Sequence, residues 1–336
     1  MIKEAIHMLV DKIDLSEKEM AECMEEIMDG KATDAQIGAL LTALRVKGET
    51  VAEITGAAKI MRRKATAIRA PEGVLDTCGT GGDMSHTFNI STTTAFVVAG
   101  AGVPVAKHGN RSVSSRSGSA DVLEALGVRI DLTPEKVEQC LFETGFGFLF
   151  APLFHPAMKY AIGPRREMGI RTIFNILGPI TNPAGAQRQV LGVFADRLTE
   201  TLAEVLGNLG AADAMVVHGE DGLDEISIAG RTKISRAREG KVETFTIQPE
   251  DFGLWRGRLE DLKGGDKEEN AGITRLILQG EEGARRNIVL MNSALALIVA
   301  GATGDYRTAL GIAADSIDSG RAREKLEEVK RVSNAL

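Results

Sequence analysis

Cysteine is scarce in this chain, and what there is lies scattered. Cys23, Cys78 and Cys140 are the only three in 336 residues. An odd number without Cys-x-x-Cys or Cys/His spacing excludes a disulfide framework and a zinc motif, and it points to a reducing compartment, the cytoplasm. Long apolar runs are missing as well, since none approaches the roughly 20 residues that a membrane helix needs. The first residues, Met1-Ile-Lys-Glu-Ala-Ile, mix acids with apolar side chains and so differ from a signal peptide. Positive charge is also short: 40 Lys and Arg stand against 47 Asp and Glu, a net −7. A general binder of nucleic acid or of anionic membranes needs the opposite field. What remains, 43% hydrophobic and 26% charged, is the composition of a soluble globular protein. The length suits two domains, or one large domain with a satellite.

Residues 1–70 read as helical throughout. Ser16-x-x-Glu19, Thr33-x-x-Gln36 and Thr50-x-x-Glu53 are successive capping boxes. Behind the first, Met20, Cys23, Met24, Ile27 and Met28 share one helix face, with the methionines as core filler. Ile37, Leu40, Leu41 and Leu44 repeat the pattern, as do Val51, Ile54, Ala58 and Met61. Gly30 and Gly48 stand where helices stop, and Arg62-Arg63-Lys64 reads as a solvated helix end.

After Pro71 short apolar runs alternate with helical stretches. Strands are expected at Val74–Asp76, Val103–Ala106, Phe146–Phe150, Val190–Phe194 and Ala214–His218. Helices are expected over about Ser91–Ala101, up to Leu126, from Thr133-Pro134, over Leu198–Leu209, and from Lys267 to the end, with Ile288–Ala300 buried. Such alternation predicts an α/β domain with a mostly parallel sheet. Ile226–Ile228, Thr232–Ser235 and Val242–Ile247 read instead as a β-meander. Residues 151–187, rich in Pro, Gly and Arg, fit neither texture and suit a crossover.

The chemistry concentrates in two loops. Gly79, Gly81 and Gly82 let backbone N–H groups approach an anion, and Thr87, Asn89, Ser91 and Thr92 add donors at a helix mouth. No Gly-Lys-Ser/Thr closes this loop, and it lacks the dinucleotide glycine pattern. The second loop holds Lys107, His108, Asn110, Arg111 and five serines from Ser112 to Ser119. Between Asp76 and Ser119, Lys107, Arg111 and Arg116 oppose Asp76 and Asp83, a local excess of one positive charge. Phosphate is the first candidate ligand, although a glycine turn and a solvated serine loop would have similar compositions. Asp83 sits awkwardly in a phosphate loop unless a cation or a sugar hydroxyl intervenes. Asp224-Glu225, following a strand, suits a hard cation shared with phosphates, while an acidic turn is the plainer reading. Arg165 and Arg166 could grip a carboxylate through a guanidinium fork, or simply face solvent.

Gly79-Thr-Gly-Gly-Asp83, Thr87-Phe-Asn-Ile-Ser-Thr92, Lys107-His-Gly-Asn-Arg-Ser-Val-Ser-Ser115 and Gly169-Ile-Arg-Thr-Ile-Phe-Asn-Ile-Leu-Gly-Pro-Ile-Thr-Asn-Pro183 together resemble the anthranilate phosphoribosyltransferases of tryptophan biosynthesis. The likeness runs over essentially the whole chain. It implies a helical domain of residues 1–70, completed by part of 163–187, beside an α/β domain of 71–162 and 188–336. It implies contacts to 5-phosphoribosyl 1-pyrophosphate (PRPP) from Gly79, Gly82, Asp83, Thr87, Asn89, Ile90, Ser91, Thr92 and Lys107. The second loop would add His108, Gly109, Asn110, Arg111, Ser112, Val113, Ser114, Ser115 and Ser119. Ser91, Asp224 and Glu225 would hold two magnesium ions per monomer. Gly79, Asn110 and Arg165 would meet anthranilate, which would enter past His108, His155 and Pro179. The family implies a cytoplasmic homodimer joined through the helical domain and admits association with anthranilate synthase components.

The implied reaction is displacement of pyrophosphate at the ribose C1′ by an aromatic amine. Such an amine is neutral at pH 7, so no general acid or base is assigned. Lys107 and Asp83 are expected to give electrostatic support. A pyrimidine-nucleoside phosphorylase would share the architecture but would need no magnesium dyad. A catalytically idle nucleic-acid-binding relative would need a basic surface.

Overall fold

The computed structural model describes residues 1–112 and 116–336, so Val113, Ser114 and Ser115 lie outside it. Four helices come first: α1 (Ile2–Val10), α2 (Glu17–Met28), α3 (Asp34–Lys47) and α4 (Val51–Lys64). All three capping boxes form. Ser16, Thr33 and Thr50 each accept from the N–H three residues on at 3.3 Å, and Glu19, Gln36 and Glu53 reply to the cap N–H at 2.8–2.9 Å. The face with Met20, Cys23, Met24, Ile27 and Met28 is buried, as is that with Ile37, Leu40, Leu41 and Leu44. Helices α2 and α4 approach so closely that a Cβ on Gly56 would lie 2.2 Å from the Glu17 carbonyl oxygen.

The rest of the chain alternates. It runs through β1 (Leu75–Gly79), α5 (Ile90–Gly100), β2 (Val105–Gly109), α6 (Ser119–Ala125), α7 (Pro134–Thr144) and β3 (Phe146–Phe150). Then come α8 (Ala151–Phe154), α9 (Lys159–Met168), α10 (Phe174–Leu177), β4 (Arg188–Gly192), α11 (Leu198–Asn208) and β5 (Asp213–Gly219). Strands β6 (Thr232–Arg238) and β7 (Lys241–Ile247) precede α12 (Lys267–Leu278), α13 (Ala284–Ala300), α14 (Tyr306–Asp318) and α15 (Arg321–Ala335). All seven strands join one sheet in the order β3-β2-β1-β4-β5-β6-β7. The first five are parallel, and β6 and β7 add to the edge antiparallel. A buried run from Ile288 to Val299 on α13 covers one face, while the other face shares a core with the helical bundle. This is an α/β domain with a helical N-terminal domain.

From β1 the chain first builds outward to β2 and β3. It then leaves through 151–187 and returns on the other side of β1 as β4. Within that excursion α9 packs on α3 and α2, and α10 on α4. The sheet therefore reverses its winding between β1 and β4, whose carboxyl ends meet at Gly79 and Gly192. Crevices of this kind are where open α/β sheets bind ligands.

Three expectations need correction. Ile226–Ile228 forms no strand: its two isoleucines are buried in the turn after β5, where Asn292 Oδ1 accepts from the Ile226 N–H at 3.1 Å. Arg62 is not solvated but donates to the carbonyls of Ile180 and Leu209, each at 3.0 Å, tying α4 to the segment before β4 and to the end of α11. Lys107, His108 and Gly109 belong to β2 rather than to a loop, because they pair with Phe148, Leu149 and Phe150 of β3. Strand alternation sends Lys107 and His108 to opposite faces of the sheet.

Candidate active site

The first loop leaves β1 at the crevice and is held residue by residue. Thr80 N–H donates to the Gly192 carbonyl at 2.9 Å, and Thr80 Oγ1 accepts from Phe194 N–H at 3.1 Å. Gly81 N–H donates to Asp224 Oδ2 at 2.7 Å. At the start of α5 the Ser91 N–H donates to Glu225 Oε1 at 3.0 Å. Gly81 and Gly82 have φ of +66° and +76°, and Met84 and His86 also take left-handed backbone, at +62° and +54°. Two non-glycine residues in that region mark a strained segment.

Asp224-Glu225 thus reaches the site from the turn after β5. Gly79 and Gly192 make room for it, since a Cβ on Gly79 would stand 2.5 Å from Asp224 Oδ2. Burial, with the Asp83 charge beside it, pushes Asp224 up to about 7. Burial and the charge of Asp224 push Glu225 up to about 8, while Lys107 and the Ser91 N–H pull it back. Asp83 Oδ2 is buried with no hydrogen-bond partner among the described residues, and so is Thr92 Oγ1. Hard oxygen donors crowded at the cost of their own ionisation fit magnesium. Among the described residues no three His, Cys, Asp or Glu side chains form a ready-made cage. Magnesium takes few protein ligands and shares the rest with substrate phosphates.

Lys107 lies under this site instead of on its surface. It is fully buried, donating to the Thr77 carbonyl and, at 3.3 Å, to Ser91 Oγ. Burial lowers its pKa and raises that of Asp76, its buried counter-charge in the neighbouring strand. Asp76 is satisfied by the His108 N–H at 3.1 Å and Gln189 Nε2 at 3.3 Å. In the second loop Arg111 turns away to Asp121 and Glu124, at 2.8 and 3.0 Å. Asp121 also accepts from the N–H groups of Ser112 and Gly118. Gly109 is packed too tightly for a side chain, with Ser119 Oγ 2.2 Å from where a Cβ would be. Ser119 Oγ donates to the Asn110 carbonyl at 3.3 Å.

On the opposite face of β2, His108 Nε2 lies 3.2 Å from His155 Nε2, both rings buried. Burial holds both neutral, pushing His108 down to about 3 and His155 to about 4; the Gly178 carbonyl opposes this at His108. The Pro179 carbonyl accepts from Gln189 Nε2 at 2.8 Å. Arg165, half-buried on α9, has its guanidinium 5.1 Å from the Phe174 ring centroid. Among the described residues no carboxylate pairs with it, and burial lowers its pKa. Arg166 is exposed.

Two supports went unseen in the sequence. Arg171 stacks on Phe194, 4.5 Å from the ring centroid, and donates to the Gly82 carbonyl. Residues 262–265 run alongside the first loop: Phe88 N–H donates to the Leu262 carbonyl at 3.1 Å, and Gly264 N–H to that of His86 at 3.0 Å. The pair Gly264-Gly265 was the available signal, because adjacent glycines before a capped helix often mark a close backbone approach.

A helical bundle beside a sheet whose switch point carries an anion cradle and a carboxylate pair defines a two-domain glycosyl transferase. Residues 3–65 match the helical bundle domain of the glycosyl transferase family, and 71–323 match its a/b domain. The chain belongs to the anthranilate phosphoribosyltransferase family. It is 58% identical over 331 residues to the anthranilate phosphoribosyltransferase of Desulfosudis oleivorans, covering 98% of each chain. It is 59% identical over 328 residues to that of Moorella thermoacetica, covering 97% of each. Among solved structures, the anthranilate phosphoribosyltransferase (TrpD) of Thermus thermophilus superposes with a TM-score of 0.93 at 42% identity, covering 98% of this chain and 99% of that one. The Saccharomyces cerevisiae enzyme in complex with PRPP and Mg gives 0.91 at 28% identity, covering 100% and 98%.

Proposed function

We infer that the chain transfers the phosphoribosyl group of PRPP to the amine of anthranilate, giving N-(5-phosphoribosyl)anthranilate and pyrophosphate, in L-tryptophan biosynthesis. The observation that carries this reading is the carboxylate pair buried against the N–H groups of Gly81 and Ser91 at the switch point. Such a site accepts an anion and a cation together, as a magnesium diphosphate requires. The PRPP and Mg bound by the yeast relative support it.

Asp224 and Glu225, with the Ser91 hydroxyl, would hold magnesium, two ions per monomer. Magnesium bound there would supply positive charge to stabilise the departing pyrophosphate. The Gly79–Asp83 backbone, with Thr87, Asn89 and Thr92, orients the phosphoribosyl group. Lys107 acts from below as a fixed buried charge: it holds the Thr77 carbonyl and the Ser91 hydroxyl in place and adds positive potential under the diphosphate. Arg165 takes the anthranilate carboxylate through its unpaired guanidinium, and Asn110 sets the ring beside it. His108, His155 and Pro179 line the entry. The neutral aromatic amine attacks without a general base, so orientation and electrostatics carry the catalysis.

The assembly is a cytoplasmic homodimer joined through the helical domain, with anthranilate synthase components as further partners. Exposed Val10, Ile13 and Val46 on and beside α1 and α3 support that interface. The domains divide as 1–70 with part of 163–187, against 71–162 with 188–336. Anthranilate fluorescence should fall when the protein meets anthranilate, PRPP and Mg²⁺, and should hold steady when EDTA is added first. Asp224→Asn with Glu225→Gln should abolish or shift the metal requirement. Fluorescence that never falls would remove the assignment.

A further inference from the structure

Polar side chains of α12 reach the first loop from outside, and nothing in the reaction above uses them. Asn270 is one of them, only 2% exposed. Its Oδ1 accepts from the Gly265 N–H at 2.8 Å, and its Nδ2 donates to Asn89 Oδ1 at 3.0 Å. Asn89 Nδ2 then donates to the Ser117 carbonyl at 3.3 Å. A backbone N–H can only donate and a carbonyl can only accept, so the two ends of this chain dictate both amide orientations. Gly265 fixes which end of Asn270 faces Asn89. Asn270 in turn leaves Asn89 no choice but to aim its NH₂ group at the second loop.

The surroundings make the arrangement rigid. Asp266 caps α12, accepting from the Glu269 N–H at 2.9 Å, so the first turn that carries Asn270 is well defined. One turn on, Thr274 Oγ1 meets Thr93 Oγ1 of α5 at 3.0 Å. Gly264 is needed for the approach: a Cβ there would lie 2.4 Å from Asn270 Oδ1 and 2.7 Å from the Phe88 nitrogen. Residues 262–274 therefore brace the first loop along its outer edge.

We propose that Asn270 is a positioning residue for PRPP: through Asn89 it ties the first loop to the second and sets the polar face that Asn89 turns to the substrate. This rests on the transferase reading, in which both loops hold PRPP. Aspartate is the telling replacement, because it keeps the size and the acceptor for Gly265 but has no donor for Asn89. It sets two acceptor oxygens against each other, so Asn89 must turn or move.

The test is steady-state kinetics of Asn270→Asp, Asn89→Ala and the double variant, with thermal melts of each. Asn270→Asp should raise the KM for PRPP by about tenfold, the size of one misplaced hydrogen-bonding group. The KM for anthranilate should change by less than about twofold. In the Asn89→Ala background the second substitution should add nothing, since the effect passes through Asn89. Effects that multiply, or KM values that rise equally for both substrates, would refute the positioning role. Should Asn270→Asp not fold, Asn89→Asp probes the same link from the other end: it keeps the acceptor for Asn270 but cannot donate to Ser117. Inorganic pyrophosphate with Mg²⁺ gives a second readout, raising the wild-type melting temperature and raising it less in the variant. If the protein shows no transferase activity but keeps this difference, the reaction assignment fails and the brace stands. Normal activity with no difference fails the brace alone.

Discussion

The Asp224 carbonyl oxygen occupies the space that a Cβ on Gly192 would need, 1.5 Å from the ideal position. The end of β4 is thus hollowed out so that the turn after β5 can cross it and deliver Asp224 and Glu225 to the first loop. Gly192→Ala should displace the turn that carries the dyad by more than an ångström, since the Cβ would start 1.5 Å from the Asp224 carbonyl oxygen. A shift of that size in positioned groups can cost about 100-fold in rate. We expect kcat/KM to fall on that order, with weaker Mg²⁺ binding in a titration. Unchanged metal affinity would show that the turn can move without carrying the dyad.

Arg165 has no carboxylate partner among the described residues, although burial makes its charge costly. A charge-assisted hydrogen bond contributes about 1.5–3 kcal/mol. Arg165→Ala should therefore raise the KM for anthranilate by about 10-fold to about 100-fold while the KM for PRPP stays near wild type. Arg165→Lys should recover only part, since an ammonium cannot make the fork. Equal losses for both substrates would place Arg165 elsewhere in the chemistry.

His108 and His155 are held neutral, near 3 and 4, against an unfolded value near 6.5. A base whose folded pKa is depressed leaves stability intact above its unfolded pKa. Between about pH 6.5 and 4 the unfolded chain takes up protons that the folded one refuses, so stability falls as pH drops through that window. The slope is about 1.4 kcal/mol per pH unit for each histidine. Melts of wild type and of His108→Asn with His155→Asn between pH 5 and 7 should differ in slope accordingly. Parallel curves would mean that the pair takes up protons as readily in the folded state as in the unfolded one.

Lys107 and Asp76 are both buried and make no ion-pair contact with each other, but each eases the other's burial through its charge; the about 3–5 kcal/mol lost on breaking a buried pair in contact is therefore an upper bound for them. Lys107→Met should lower stability in urea unfolding, by less than that bound. Adding Asp76→Asn should restore much of it without restoring activity. If the double variant were no more stable than the single one, the pair would not be compensating.

Much of this was legible in the residues. The three capping boxes of the bundle are local events, each closed within four residues, and all form as read. The alternation of short apolar runs with helices led to a mostly parallel sheet, because the periodicities of 2 and 3.6 are written along the chain. Ile226–Ile228 misled because a buried turn and a buried strand are equally apolar. Arg62 misled because charge suggests solvent until a carbonyl from a distant segment is found to receive it. Lys107 and His108 were read as loop because strand pairing with β3 depends on a partner some forty residues away.

The two glycine- and serine-rich loops, the acidic dipeptide and the arginine pair stand in the sequence as separate features. Local chemistry alone determined that each could hold an ion. The meeting of the first loop with the acidic dipeptide was decided by the crossover that carries the chain from β3 through 151–187 to β4, which places Gly79 beside Gly192 and opens the crevice. Tertiary structure alone also set Lys107 beneath the site, gave Arg111 to Asp121 and Glu124, and brought Asn270 to Asn89. These contacts join residues from 10 positions apart, Arg111 and Asp121, to 181 apart, Asn89 and Asn270, and neither periodicity nor composition encodes which of them meet.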